Sequence, residues 1–269
     1  MGLLDGKNAL IFGVANQNSI AAGIARSLSR EGANIALAYG LPDLERRVKK
    51  VAEEVNCDFM ELCDVSQDDQ LDNIFQKFAE RVGRLDILIH SVAYSPRDDL
   101  SGRFSEMSRE GFRVTMDISV YSLIAMAKRG RSLMPPGSSI TAMTYYAAEK
   151  VIPHYNSMAI AKAALEISVK YLAADLGPDG IRVNAISAGP IRTLAASAIT
   201  GFRRLMEGVG EVSPLRRLVT QDEVGDTCVW LSSEWGRSVT GEIVHVDAGY
   251  NVLGLTARDE DVWGNKDEE

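Results

Sequence analysis

The chain has 269 residues, of which 46% are hydrophobic and 25% charged, with a formal net charge of −8; this is the balance of a globular protein with a sizeable core, not of a disordered or membrane-embedded one. A general binder of phosphate backbones needs a basic surface to displace counterions, and no apolar run reaches the roughly 18 residues of a membrane span, so neither nucleic acid nor membrane is an expected partner. Cys57, Cys63 and Cys228 are odd in number and lack metal-type spacing, and His90, His154 and His245 are scattered, so no disulfide framework and no metal site is expected.

The first seven residues lack the basic start, long apolar stretch and small-residue cleavage site of a secretory leader, and a cytoplasmic address is the expectation. Residues 7–13 (KNALIFG) read as a strand ending in glycine, and 19–31 repeat apolar residues at helical spacing until Gly32. Strand 34–39, helix 43–55, strand 58–63, helix 68–82 and strand 85–91 follow. Residues 110–134 read as mostly helical, 138–143 as a fifth strand, 154–176 as a long helix closed by Gly177 and Pro178, and 182–186 as a sixth strand. The stretch 189–219 has weak periodicity and is expected to be a long connection, before a helix at 221–232 and a last strand at 242–246. The acidic end, with six acidic residues against two basic over 257–269, reads as a solvated tail. Strands alternating with helices predict one α/β domain over residues 1–256, a doubly wound parallel sheet with helices on both faces and ligands at the carboxyl ends of its strands.

The first turn, from Gly13 to Gly23, holds glycine only at its start and inside the helix, so by glycine count it is a weak dinucleotide fingerprint. Ser19 caps the helix, and the same geometry leaves its hydroxyl and the following amides facing an anion. After the second strand, Tyr39 to Pro42 offer no basic group for a ribose 2′-phosphate. Asp64 and Val65 close the third strand, where they flank an adenine or open a helix.

Tyr155 and Lys162 lie seven residues apart on the expected helix 154–176, close to two turns, so both would share one face about 10 Å apart. A hydroxyl donor stabilises negative charge developing on a carbonyl oxygen, and an ammonium can hold a cofactor ribose. The surrounding text is specific. Tyr145 to Glu149, Ile152 to Asn156, Ala159 to Lys162 and Asn184 to Ala195 resemble the FabI-type enoyl-acyl carrier protein reductases, a divergent branch of the short-chain dehydrogenases. So do Gly13 with Ser19 and Ile20, Asp64–Val65, His90–Ser91, Asp117 to Ser119 with Tyr121 and Ser122, and Gly241–Glu242 with His245 to Asp247.

The resemblance implies a Rossmann fold that uses NADH to reduce trans-2-enoyl-acyl carrier protein, the last step of bacterial fatty-acid elongation. It implies Tyr145, Tyr155 and Lys162 as the catalytic set: Tyr155 donating to the enolate oxygen, Lys162 binding the nicotinamide ribose, Tyr145 lining the substrate site. Gly13, Ser19, Ile20, Asp64, Val65, Ser91, Val92, Lys162, Ile191, Arg192, Thr193, Leu194 and Ala195 would contact the cofactor. Ser95 would lie near the acyl group with Tyr145 and Tyr155. Ala93 and Ser95 stand where relatives commonly carry glycine and alanine, and Gly40 where they often carry a polar side chain. The partner implied is acyl carrier protein bearing the enoyl thioester; a homotetramer is expected, because the helix 154–176 is apolar on more than one side, and residues 189–210 are expected to form a lid. The alternative is a short-chain dehydrogenase acting on a carbonyl or alcohol; six residues between tyrosine and lysine, where ordinary ketoreductases have three, argue against it. With no cation between Tyr39 and Pro42, kcat/KM should favour NADH over NADPH; steady-state kinetics with both cofactors checks this, and a preference for NADPH contradicts it.

Overall fold

The computed structural model describes residues 2–194 and 202–254. Strands β1 (Asn8–Phe12), β2 (Asn34–Tyr39), β3 (Phe59–Leu62), β4 (Ile87–His90), β5 (Ser139–Thr144), β6 (Arg182–Ala188) and β7 (Ile243–Val246) form one parallel sheet in the order β3-β2-β1-β4-β5-β6-β7. Helices α1 (Ile20–Arg30), α2 (Glu45–Glu54), α3 (Asp68–Arg81), α4 (Arg109–Met116), α5 (Ser122–Gly130), α6 (Asn156–Leu176), α7 (Phe202–Val212) and α8 (Gln221–Ser232) make the other elements, with a π-helical turn at Asp117–Tyr121 joining α4 to α5. The doubly wound architecture expected from the alternating pattern is the one found.

The central strands are continuous apolar runs because both of their faces are covered. Ala9, Ile11, Ile87 and Ile89 face a core layer shared with α1, α2 and α8, while Leu10, Phe12 and Leu88 face one shared with α3, α5 and α6. The strand order reverses between β1 and β4, and the crevice at such a reversal is where an open α/β sheet receives a ligand. Gly13 lies at that point with φ +94°, where a Cβ would run into the Ser91 carbonyl. Only glycine combines that torsion with so close an approach.

Two boundaries differ from expectation. The long helix begins at Asn156 instead of residue 154: His154 has φ +61° and Tyr155, with φ −121° and ψ 16°, is the cap. The connection 189–219 contains α7, whose alternation of apolar and polar residues is interrupted by Gly208 and Gly210, poor helix formers that mask the signal. Smaller shifts occur elsewhere: a 3-10 turn at Pro42–Leu44 precedes α2, which starts at Glu45. The tail 257–269 lies outside the described residues.

Helix α8 closes directly on α1. A Cβ at Gly23 would sit 2.5 Å from the Gln221 carbonyl oxygen, and one at Gly225 2.7 Å from the carbonyl oxygen of Gly23. Backbone on both sides leaves nothing flexible to yield, so Gly23→Ala should destabilise by about 1–3 kcal/mol, as overpacking typically does. Urea unfolding of the variant checks this; an unchanged midpoint would contradict the packing argument.

Candidate active site

The side chains proposed for chemistry converge where β5 ends and α6 begins. Met143 and Thr144 end β5, and Tyr145 follows in extended conformation with φ −150° and ψ 147°. Tyr155 caps α6, and its carbonyl accepts from the Ala159 amide at 2.7 Å, so the helical ladder starts from it. The rings of Tyr145 and Tyr155 meet edge to face with centroids 5.0 Å apart. Lys162, two turns into α6, is buried between helix and sheet, and its Nζ donates to the Met143 carbonyl at 2.8 Å. The three residues expected to act together are thus gathered, with Tyr155 at the head of the helix and not on it.

Burial sets the charge states. Desolvation raises both phenols, and each tyrosine's neighbouring phenol (Tyr250 beside Tyr145, Tyr145 beside Tyr155) adds to the effect, so both remain hydroxyl donors at neutral pH. Desolvation brings Lys162 down to about 8, against the opposing attraction of Glu166, so the amine is still mainly cationic at pH 7. Among the described residues Met143 is the one acceptor its ammonium reaches, which leaves donors for a ligand.

The floor of the crevice is held from behind. His90, fully buried at the end of β4, pairs through Nε2 with the Ser122 hydroxyl at 2.7 Å, and Ser122 donates onward to the Ile118 carbonyl at 2.6 Å. Because the Ser122 proton is committed to Ile118, the imidazole donates from Nε2, and its buried Nδ1 has no partner among the described residues. Ser119, in the π-helical turn, takes the Tyr94 amide and donates to the Tyr94 carbonyl, both at 3.0 Å. These serines fix the loop after β4. The sequence shows Ser119 and Ser122 within a motif, but nothing in it assigns them to that loop.

Most of the expected cofactor residues follow the carboxyl ends of β1, β3, β4 and β6. Gly13, Ser91 and Val92 lie at the reversal of strand order, with the Ser91 amide bonded to the Phe12 carbonyl at 3.2 Å. The Ser19 hydroxyl accepts from the Ala22 amide at 3.3 Å and donates to the Asn16 carbonyl at 2.7 Å; it is a cap, and the amides of Ile20 and Ala21 are the first donors of the helix. Asp64 Oδ1 accepts from the Ser66 amide and hydroxyl at 3.0 and 2.8 Å, forming a turn before α3 rather than capping it, and Val65 is buried beside it. Past β6, Ile191 packs on the core while Arg192 is exposed and Thr193 and Leu194 follow. Ala195 lies outside the described residues. Ser95 is buried in a hydroxyl network, 2.6 Å from Ser157 and 2.9 Å from Thr115, and Ser157 donates to the Asp99 carbonyl. Its hydroxyl thus has partners within the protein.

A glycine turn without a Cβ, free helix-start amides, no cation after β2 and a buried ammonium form a donor set that fits a dinucleotide. Residues 13–251 match the family described as Enoyl-(Acyl carrier protein) reductase. The chain belongs to the enoyl-acyl carrier protein reductase family. The NADH-dependent FabI enzyme of Aquifex aeolicus is 51% identical over 97% of both chains. A crystal structure of the Aquifex aeolicus enoyl-acyl carrier protein reductase covers 94% of this chain and all of its own at TM-score 0.92 and 52% identity. That of the Anaplasma phagocytophilum enzyme in complex with NAD covers 95% and 98% at TM-score 0.91 and 47% identity.

A reductase crevice that buries His90 stores acid sensitivity in the fold. Desolvation first, and the nearby Lys162 second, lower His90 from 6.5 to about 3. Between those values the unfolded chain binds this proton and the folded chain does not, so the contribution is complete above 6.5 and is lost as pH falls toward 3. At about pH 4.5 that difference amounts to about 2–3 kcal/mol. His90→Asn should therefore lose less stability than the parent between pH 7 and pH 4.5, measured by urea unfolding; parallel losses would contradict it.

Proposed function

We propose that this protein binds NADH in the crevice between β1 and β4 and reduces the double bond of a trans-2-enoyl thioester carried on acyl carrier protein. The observation that carries the reading is the pairing of Tyr145 and Tyr155 at 5.0 Å, beside a buried Lys162 with donors to spare. Bound NADH supplies the hydride. As charge gathers on the thioester oxygen, Tyr155 donates its hydroxyl, whose proton stays on the phenol because burial raises it. Lys162 binds the nicotinamide ribose and holds positive charge beneath the site. Tyr145 lines the acyl side, orients the Tyr155 ring and is the second donor available to the same oxygen.

Around this centre Gly13 admits the pyrophosphate, the Ile20 and Ala21 amides face its charge, and Ser19 holds that helix end in place. Asp64 and Val65 border the adenine, and Ser91, Val92, Ile191, Arg192, Thr193 and Leu194 are further cofactor contacts. Of the connection 189–210 expected to form a lid, residues 195–201 lie outside the described residues. The working form is a homotetramer in the cytoplasm. Ile167 and Tyr171, exposed on α6 at 51% and 75%, Tyr121 just before α5 and Ile124 on it are apolar residues such an assembly would cover. Among the described residues no helix is long and apolar enough to cross a membrane.

Tyr155→Phe and Lys162→Ala should fail differently. Losing an oxyanion donor costs on the order of 100-fold in kcat, so Tyr155→Phe should lose turnover with crotonyl thioester while its NADH affinity, titrated by fluorescence, stays near normal. Lys162→Ala should lose NADH affinity itself. With Tyr145 as a second donor, Tyr145→Phe combined with Tyr155→Phe should fall below either alone. Equal loss of NADH affinity in the Tyr155 and Lys162 variants would sink this division of roles, and turnover of acetoacetyl but not crotonyl thioester would sink the reaction.

A further inference from the structure

One helical turn beyond Lys162, Glu166 points to the same strand end. Thr144 donates its hydroxyl to Glu166 Oε1 at 2.7 Å, while Lys162 donates to the carbonyl of the preceding residue, Met143, at 2.8 Å. Two side chains four residues apart on α6 therefore grip two consecutive residues of β5, immediately before Tyr145. The spacing is what one helix face offers, since residues i and i+4 stack one above the other.

We propose that Glu166 is a positioning residue of this reductase: through Thr144 it clamps the end of β5 to α6, and its carboxylate supplies the negative field that keeps the Lys162 ammonium charged and aimed at the cofactor. The inference rests on the reading of Lys162 as the cation that binds NADH.

The charges around the pair are few. Lys162 faces Glu166 from its own helix and His90 from β4, and His90 is neutral at working pH. Glu166 faces Glu149 from the turn after β5, His245 from β7 and Lys170 from α6, with the Thr144 hydroxyl bonded to it. His245 is itself 3.1 Å from Glu149. Burial and Glu149 raise the Glu166 carboxyl; the Thr144 bond, His245 and Lys170 oppose them. The clamp thus does two things at once: it fixes the strand, and it stabilises the ionised carboxylate that the ammonium requires.

Two variants separate these effects. Glu166→Gln keeps an acceptor for Thr144 and removes the charge; Thr144→Val keeps the carboxylate and removes the bond. In the NADH-free protein, the Lys162 signal of lysine labelled with carbon-13 at Cε should titrate about one pH unit lower in Glu166→Gln than in the parent, the lower end of what an opposite charge contributes. The alkaline fall in NADH affinity, read by fluorescence titration, should move by the same amount, with affinity near pH 6 unchanged. Thr144→Val should weaken NADH several-fold across the whole pH range. An unmoved Lys162 titration in Glu166→Gln overturns the field, and unchanged affinity in Thr144→Val overturns the clamp. Lys162→Ala is the control: if it leaves NADH affinity intact, the role of Lys162 has failed, whereas if it weakens NADH and Glu166→Gln moves nothing, only the role of Glu166 has.

Discussion

The ammonium of Lys162, buried between β5 and α6, is the constraint around which the site is arranged. Taking a charge out of water is costly unless it is paired and hydrogen-bonded, and here the protein supplies one carbonyl, from Met143, and a carboxylate one turn away. On the proposed reading, a bound cofactor supplies the rest of the compensation. A cation that the fold leaves under-satisfied is pre-organised for a cofactor, because binding removes the deficit without any rearrangement of the group that binds. The same burial holds the two phenols protonated and His90 neutral. Burial thus sets four protonation states: two phenols kept as hydroxyl donors, an ammonium still mainly cationic at pH 7, and a neutral imidazole paired with Ser122.

Sheet topology decides where the crevice lies. The strands β1 and β4 part at their carboxyl ends because chain order reverses there, and Gly13 brings the first turn against the Ser91 carbonyl. The loop after β4 would be free to close the gap if nothing held it. Ser119 takes both polar groups of the Tyr94 backbone, and the Ser95, Thr115 and Ser157 hydroxyls join the same loop to the head of α6, where Tyr155 sits. Hydroxyls suit this task, since each both donates and accepts and can satisfy backbone in a space too small for longer side chains.

Much of this was legible from the residues alone. The runs ALIF in β1 and ILI in β4 are apolar throughout, the mark of strands buried on both faces, and they predict the parallel sheet and hence the location of the crevice. What escaped has local causes. Helical spacing alone puts Tyr155 inside the helix, and no Ser, Thr, Asp or Asn stands ahead of it to mark the start; the chain breaks at His154, in the left-handed region, a torsion that pattern does not show. Helix α7 was hidden by two glycines. The resemblance puts Ser95 near the acyl group; what the sequence does not show is that its hydroxyl bonds Ser157 and Thr115, which are 62 and 20 residues away in the chain.

Glu166 shows the same limit from the other side. In sequence it is one more acid on the long helix, and helical spacing relates it to Lys162, yet its effect depends on Thr144, 22 residues earlier, and on His245 and Glu149, which the fold brings together. Residues that touch a ligand leave a trace in motif spacing because chemistry restricts their type and separation. Those that act through another residue are restricted only by tertiary geometry, and many pairs could meet that geometry. The network behind Lys162 had to come from the structure for this reason, although the lysine itself could be found without it.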